Sequence, residues 1–384
     1  MNLPQFYYGQ KNKGKLTMLK KFEVKNFKGF KEKLTLDLSN ARDYAFNKDQ
    51  VQDGIIKKSL VYGKNGTGKS NLGLAIFDIT WQLTENKRLN TILAYTHGDS
   101  PKNMPAYFKY YFQFDNDEII YEYEKYAPQI LKIEKLYINN SLVVYFDHEH
   151  KEKNFVKLLG TETLNIDLER NDQSIIRYIY RNARIGNDSP LVKMTQFVNN
   201  MLWFRCLNGN EFSGYKKEPE KLTDMIGTEE NLQNFAEFLA DNDINYDLEF
   251  VNDMLNNTKV IIAKFKNNKY PLNIISSTGT DALLLFYCWS LEFDKISFLF
   301  LDEFDAFYHY ETAEYVLNII NKKQNFQSIV TTHNTSLLNN RLTRPDCCYI
   351  LSNNQIKSLC NCTDKELREA HNLEKMYRNG IFEN

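Results

Sequence analysis

Gly63-Lys64-Asn65-Gly66-Thr67-Gly68-Lys69-Ser70 decides the fold. The octapeptide fits G-x-x-x-x-G-K-[ST], and each fixed position has a chemical reason. Gly63 and Gly68 let the backbone curl so that successive N–H groups point at phosphate oxygens at a helix N-terminus, where the dipole also favours anions. Lys69 is the cation for the β- and γ-phosphates and Ser70 the hydroxyl for Mg²⁺. Asn65, Gly66 and Thr67 line the loop, and Asn71 follows in the first helical turn. A chance match somewhere in a chain of this length has a probability of roughly one in a hundred. The context agrees: the short apolar run SLVYG precedes the loop, and NLGLAIFDITWQL follows it with apolar residues at helical spacing. Strand, glycine loop and helix in that order predict a P-loop with ATP and Mg²⁺ as its ligands.

On the N-terminal side, a polar tail (1–17) leads to Phe22, Val24 and Phe27, which alternate as in a strand, and to Leu34, Leu36 and Leu38, which repeat at period two. On the C-terminal side, PAYFKYYFQF and EIIYEYEKY predict aromatic strands joined at Asp115, Asn116 and Asp117. ILKIEKLYI and SLVVYFD flank a turn at Asn139 and Asn140. From 151 to 257 the periodicity becomes helical, as in DQSIIRYIYRNARI, SPLVKMTQFVNNMLWF and TEENLQNFAEFLADN. Strand character returns with KVIIAKF. The expected organisation is an N-terminal lobe (18–150), a helical insertion (151–257) and a C-terminal lobe (258–384), within an α/β architecture.

The second half of a nucleotide site is Phe298-Leu299-Phe300-Leu301-Asp302-Glu303, an apolar run ending in two carboxylates. Such a run suits a strand buried on both faces, whose C-terminal end is where an α/β sheet binds ligands. Asp302 can then hold Mg²⁺ directly or through water, and Glu303 can take a proton from the attacking water. Adjacent side chains on a strand point to opposite sides, which predicts separate roles for the pair. Taken alone, the two acids would serve equally as the cap of a following helix.

Ser276-Ser277-Thr278-Gly279-Thr280 opens the predicted helix DALLLFYCWSL before that strand, and His333 ends the following one in SIVTTHNTS. The order of phosphate loop, Ser/Gly helix start, acidic strand end and strand-end His resembles the ATP-binding-cassette (ABC) ATPases. Thr278 and Thr280 depart from the LSGGQ signature, as is usual in the SMC, RecF and OLD-type branch. The resemblance implies an ABC-ATPase head: a mixed sheet flanked by helices, with antiparallel hairpins. It also implies that Ser277 and Gly279 of one subunit complete the ATP site of another, so that the chain forms a homodimer or higher homo-oligomer. His333 would contact the γ-phosphate, and Asp305 would belong to the loop communicating across the dimer, with a helix N-cap as its alternative role. Gln113 is the nearest candidate for the family's glutamine loop, although it lies inside a predicted strand.

Asn26-Phe27-Lys28-Gly29-Phe30, Glu134-Lys135-Leu136, SSTGT, LDEFDAFYH with His309, and AHNLEKMYRNGIFEN further resemble bacterial ABC-type ATPases linked to abortive infection and restriction, of the RloA and AbiL kind. That likeness implies a protein effector encoded nearby, often a TOPRIM-like nuclease or another toxin. Residues 334–384 are too few for a further α/β domain, so the expectation is an ATPase without a nuclease domain of its own.

Composition narrows the partners. With 48 Lys+Arg against 49 Asp+Glu and a formal charge of −1, the chain is not a uniformly basic nucleic-acid coat. With 42% apolar residues it is not a disordered chain either. Arg170, Arg177, Arg181 and Arg184 would share one face of a continuous helix, which suits nucleic acid, an acidic partner or plain solvent. No membrane span or secretory signal is legible, so a cytoplasmic protein is expected, with thiols at Cys206, Cys288, Cys347, Cys348, Cys360 and Cys362. Cys347, Cys348, Cys360 and Cys362 lack the CxxC pairing of a structural zinc site, and Asp147-His148-Glu149-His150, which could bind a metal, is expected as a solvated polar loop after a strand.

Overall fold

A computed structural model describes residues 17–85, 94–168, 170–205, 212–215, 221–253 and 258–382. The expected N-terminal tail and Cys206 lie outside these residues, apart from Thr17, which opens the first strand. Among them, no helix is long and apolar enough to cross a membrane.

Two seven-stranded sheets organise the chain. The core sheet runs in the order Phe212–Gly214, Met201–Arg205, Phe298–Asp302, Gln327–Thr332, Lys58–Tyr62, Cys348–Ser352 and Gln355–Ser358. Its five inner strands are parallel and its two edge strands antiparallel. Tyr62, Arg205, Asp302 and Thr332 therefore finish at one edge of the sheet, where an α/β fold binds its ligands. The second sheet is antiparallel throughout and contains Thr17–Lys25, Leu34–Asp37 and both aromatic hairpins read from the sequence. Their turns fall where the sequence put them: Asp115, Asn139 and Asn140 have φ of 54°, 49° and 65°, a conformation that Asn and Asp tolerate better than other non-glycine residues.

The helix after the phosphate loop, Lys69–Leu83, is sandwiched between the sheets and buried almost all round, as its nearly continuous apolar sequence requires. Phe77 packs on Trp203, Phe298 and Phe300 of the core sheet, while Tyr110 of the outer sheet donates to the Ala75 carbonyl at 2.8 Å. The strand-end run alternates as a doubly buried strand must: Phe298 and Phe300 face this helix, and Leu299 and Leu301 face a second core. That second core holds the helices Glu229–Ala240, Thr278–Ser290 and Tyr310–Lys322 on the other side of the sheet.

Between 151 and 257 the structure differs from the helical reading. Helices occupy Ile175–Asn182, Pro190–Asn199 and Glu229–Ala240, but Met201–Arg205 is a parallel strand beside Phe298–Asp302 in the core sheet. Asp247–Asp253 pairs with Thr258–Lys264 and then Lys269–Pro271 in a separate three-stranded sheet. The helix in SPLVKMTQFVNN stops at Asn199, and the four residues beyond Asn200, Met201 to Phe204, are long apolar and aromatic side chains that fill both faces of a sheet before Arg205 ends the strand.

Candidate functional site

The phosphate loop leaves the inner strand Lys58–Tyr62 at Tyr62 and enters the helix at Lys69, with Gly68 at φ 103°. A Cβ at Gly63 would sit 2.5 Å from Thr67 Oγ1 and 3.0 Å from the Leu351 carbonyl, so no other residue fits there. Lys64, Asn65 and Gly66 are exposed, and Thr67, Ser70 and Asn71 half-buried. Lys69 is curled into the loop: its ammonium donates to the Gly63 carbonyl at 2.7 Å and the Lys64 carbonyl at 3.2 Å, and lies 3.6 Å from Glu303 Oε1. The Asn26–Phe30 turn packs against this loop, placing the Phe30 ring 3.1 Å from a Cβ built on Gly68 and the Asn71 amide 3.1 Å from one built on Gly29. A cleft of about 600 Å³ adjoins the loop, lined by Tyr62, Gly63, Lys64, Thr67, Ser352 and Tyr377 among others.

Asp302 is buried at the end of its strand. Thr331 Oγ1 donates to its Oδ1 at 2.8 Å and accepts the Glu303 N–H at 2.8 Å, so one hydroxyl fixes both acids. Burial pushes the Asp302 carboxyl above the usual carboxylate value; hydrogen bonds from Ser70 and Thr331 and the charge of Arg205 oppose that shift. Arg205 stands opposite Asp302 in the strand register, with Nε 3.4 Å from Oδ2. Lys28 lies close enough that burial and then the Arg205 charge lower its pKa. The separation of Asp302 and Glu303 does not come from strand alternation. The strand ends at Asp302, and Glu303 turns away with φ 48°, a left-handed backbone that costs energy for a side chain of its size.

Ser277 and Gly279 lie apart from this cluster. Ser277 caps the helix Thr278–Ser290, its Oγ accepting the Thr280 N–H at 3.2 Å, and it is exposed. Within 4 Å of a Cβ built on Gly279 lie only the Phe307 carbonyl and Ser277 Oγ. The helix they open packs on the sheet face opposite the phosphate-loop helix. His333 is exposed just past Thr332, near enough to bear on the Asp305 carboxyl. Asp305 caps no helix; the next begins at Tyr310 behind His309. Its Oδ2 accepts from Thr332 Oγ1 at 2.7 Å, while its buried Oδ1 has no hydrogen-bond partner among the described residues. Burial raises this carboxyl too, against the Thr332 hydrogen bond.

Other expectations are redrawn. Gln113 lies in the outer sheet, its amide donating to the Asp115 and Asp117 carbonyls across a hairpin turn. The strand end beside Asp302 belongs instead to Arg205. The four arginines share no helix face, because the helix spans only Ile175–Asn182. Arg177 and Arg181 meet Glu85, Arg170 pairs with Asp172, and Arg184 lies beyond the helix. Cys288, Cys347, Cys348, Cys360 and Cys362 are buried free thiols. Asp147, Glu149 and His150 bring ligand atoms together at an exposed turn that Asp147 Oδ1 closes by accepting two backbone N–H groups. His148 turns inward to Glu134.

Arg205 and Thr331 are the site residues that sequence reading missed. A signal for Arg205 existed: MLWFR, like FLFLD, is a short apolar run ending in a charge, and Asn199-Asn200 before it breaks the helix.

Residues 18–355 match the family model described as RecF/RecN/SMC N terminal domain. No curated protein sequence matches the chain. Among solved structures, the SMC head domain from Thermotoga maritima is similar at 16% identity and TM-score 0.44, over 88% of this chain and 98% of that one. The Smc head domain with an extended coiled coil bound to the C-terminal domain of ScpA, derived from Pyrococcus furiosus, is similar at 14% identity and TM-score 0.49, over 89% and 96%. The recombination mediator protein RecF with ATP is similar at 13% and 0.40, over 90% and 100%. The family match spans well over half of the chain, and the chain belongs to the RecF/RecN/SMC N-terminal domain family of ABC-type ATPases.

Proposed function

We propose that the chain is an ATP-hydrolysing switch that closes as a homodimer, or a higher homo-oligomer of such pairs, around two molecules of ATP. The observation that carries this reading is the division of the site. Lys69, Ser70, Asp302 and Glu303 converge at one sheet edge, whereas Ser277 and Gly279 open a helix that packs on the opposite face, where Ser277 Oγ meets Thr280 and Gly279 meets the Phe307 carbonyl rather than the phosphate loop. A second copy can supply across the gap what its own chain does not.

Each residue then has a task. The loop amides between Gly63 and Ser70 hold phosphate oxygens. Lys69 exchanges the Gly63 and Lys64 carbonyls for the β- and γ-phosphates. Glu303, held by Thr331, takes the proton of the attacking water. His333 contacts the γ-phosphate from the adjacent strand end, and the partner's signature closes over it with the Ser277 hydroxyl and the helix N-terminus that follows. The Ser70 hydroxyl and Asp302 carboxylate form an all-oxygen donor set of the kind Mg²⁺ takes. Mg²⁺, when bound there, would neutralise charge on the phosphates.

We read the switch as the regulatory subunit of a cytoplasmic anti-phage system of the abortive-infection or restriction type, controlling a separate effector such as a TOPRIM-like nuclease. What supports this is the likeness in NFKGF, SSTGT, LDEFDAFYH and the C-terminal AHNLEKMYRNGIFEN. In this reading the lobes 18–150 and 258–384 form the head together with the core-sheet strands Met201–Arg205 and Phe212–Gly214, and the rest of 151–257 carries the partner surface. A DNA-binding repair ATPase is the second reading, favoured by the family match; the pairing of Arg177 and Arg181 with Glu85 weakens one route to it.

Mixing two inactive variants tests the shared site. Lys69→Ala and Ser277→Arg should each abolish ATP hydrolysis alone, and their mixture should regain part of it, because a mixed pair holds one intact composite site. A mixture as inactive as either variant would contradict the division of the site between two chains.

A further inference from the structure

Arg205 brings a positive charge to the carboxylate assigned above to the metal. It stands in register with Asp302, and its Nε is 3.4 Å from Oδ2. Its side chain is 18% exposed, and the guanidinium lies 5.6 Å from the Trp203 ring centroid, over a fully buried indole. Asp302 has its other oxygen, Oδ1, engaged by Thr331, so Oδ2 faces the guanidinium while Ser70 bonds the same carboxylate. Lys28 adds a second cation within reach of Arg205, and Lys69 a third across Glu303. A divalent ion approaching Ser70 and Asp302 from bulk water meets an Asp302 carboxylate already paired with Arg205, and a Glu303 carboxylate already faced by Lys69.

We infer that Arg205 is the resident counter-cation of Asp302, and that it makes metal binding conditional on nucleotide. Without nucleotide, Arg205 and a divalent ion compete for one buried carboxylate, and the tethered guanidinium wins. When a triphosphate fills the loop, its negative charge favours the ion at Asp302 and offers the displaced guanidinium phosphate oxygens, which it pairs with bidentately. Arg205 is a positioning residue in this account: it acts through Asp302. The inference rests on the reading of Ser70 and Asp302 as the metal-holding pair.

Binding of Mn²⁺ to the full chain, followed by loss of the free-ion electron paramagnetic resonance signal, tests it with and without a non-hydrolysable ATP analogue. Wild type should bind Mn²⁺ weakly until the analogue is present. Arg205→Gln should bind nucleotide-free Mn²⁺ tighter by at least about tenfold, whereas Arg205→Lys, which keeps the charge, should stay near wild type. Arg205→Met, which keeps a straight stem over Trp203, carries the same prediction should the glutamine variant not fold. Unchanged or weaker nucleotide-free Mn²⁺ binding in a folded uncharged variant would overturn the inference and leave Arg205 as a structural ion pair. Asp302→Asn separates the two claims. If it leaves Mn²⁺ binding in the presence of the analogue intact, the reading of Asp302 as a metal residue fails, whatever Arg205 does.

Discussion

Thr331 ties the two acids of the site through one hydroxyl, donating to Asp302 Oδ1 and accepting from the Glu303 backbone. Removing it strands a buried carboxylate oxygen and a backbone N–H held at a strained left-handed residue. Thr331→Val, nearly the same shape, should cost about 1–3 kcal/mol in urea unfolding. It should also slow phosphate release while leaving ATP binding at Lys69 close to normal, and Thr331→Ser should restore both. Equal loss of hydrolysis in the serine variant would contradict the hydroxyl's role. Residues of this kind separate what the sequence discloses from what it hides. Gly63, Gly68, Lys69 and Ser70 were legible because backbone geometry and phosphate charge restrict each to one or two residue types. Thr331 was not, since a threonine in a strand is ordinary until the fold sets it beside Asp302. The order of motifs along the chain disclosed Asp302 and Glu303, but only the turn at Glu303 explains how they part.

The phosphate-loop helix carries its only acidic residue, Asp78, into the layer between the sheets. There Asp78 accepts from Tyr95 and Tyr123 hydroxyls, both at 2.9 Å, and pairs with Lys125 at 2.6 Å. At the end of the helix, Gln82 reaches Glu134, which also accepts from Tyr121, Ser174 and the Ile175 N–H and faces His148. Burial alone would raise the Glu134 carboxyl, but His148 and the Ser174 and Tyr121 hydrogen bonds outweigh it and hold it below the ordinary value of 4.5. A carboxyl depressed in the folded state stabilises the fold above its unfolded pKa, and that stability is lost as pH falls through the folded value. Unfolding free energy of the wild type should therefore drop below about pH 4.5. Glu134→Gln should be less stable at neutral pH by about 2–4 kcal/mol, because its amide turns a donor toward donors, and should show a shallower acid limb. Denaturant titrations across pH 3 to 7 measure both, and an unaltered acid limb would sink the assignment. At this scale the hairpins were readable from alternation and turn residues. The strand Met201–Arg205 was missed because a short apolar run following a helical one carries no periodicity of its own, and only its resemblance to FLFLD and the Asn199-Asn200 break mark it.

The whole chain is nearly neutral and holds two cores on opposite faces of one sheet, one under the phosphate loop and one under the signature helix. Beside Ser277 and Gly279, Ile274 and Phe307 leave apolar surface exposed, which in the proposed dimer a second copy covers. The order of motifs made an ABC-type ATPase legible from the sequence. That the helices Lys69–Leu83 and Thr278–Ser290 lie on opposite faces of the sheet became visible only from packing, since nothing in the sequence says on which side the second helix lies. In the proposed cycle ATP joins two copies and hydrolysis parts them. The most direct measurement is the solution mass of Glu303→Gln by light scattering, with and without ATP and Mg²⁺. The account predicts a mass that doubles, or rises by a multiple of two, only with ATP, and a wild type that returns to its starting mass as ATP is consumed. A Glu303→Gln protein that binds ATP and keeps the same mass would contradict it.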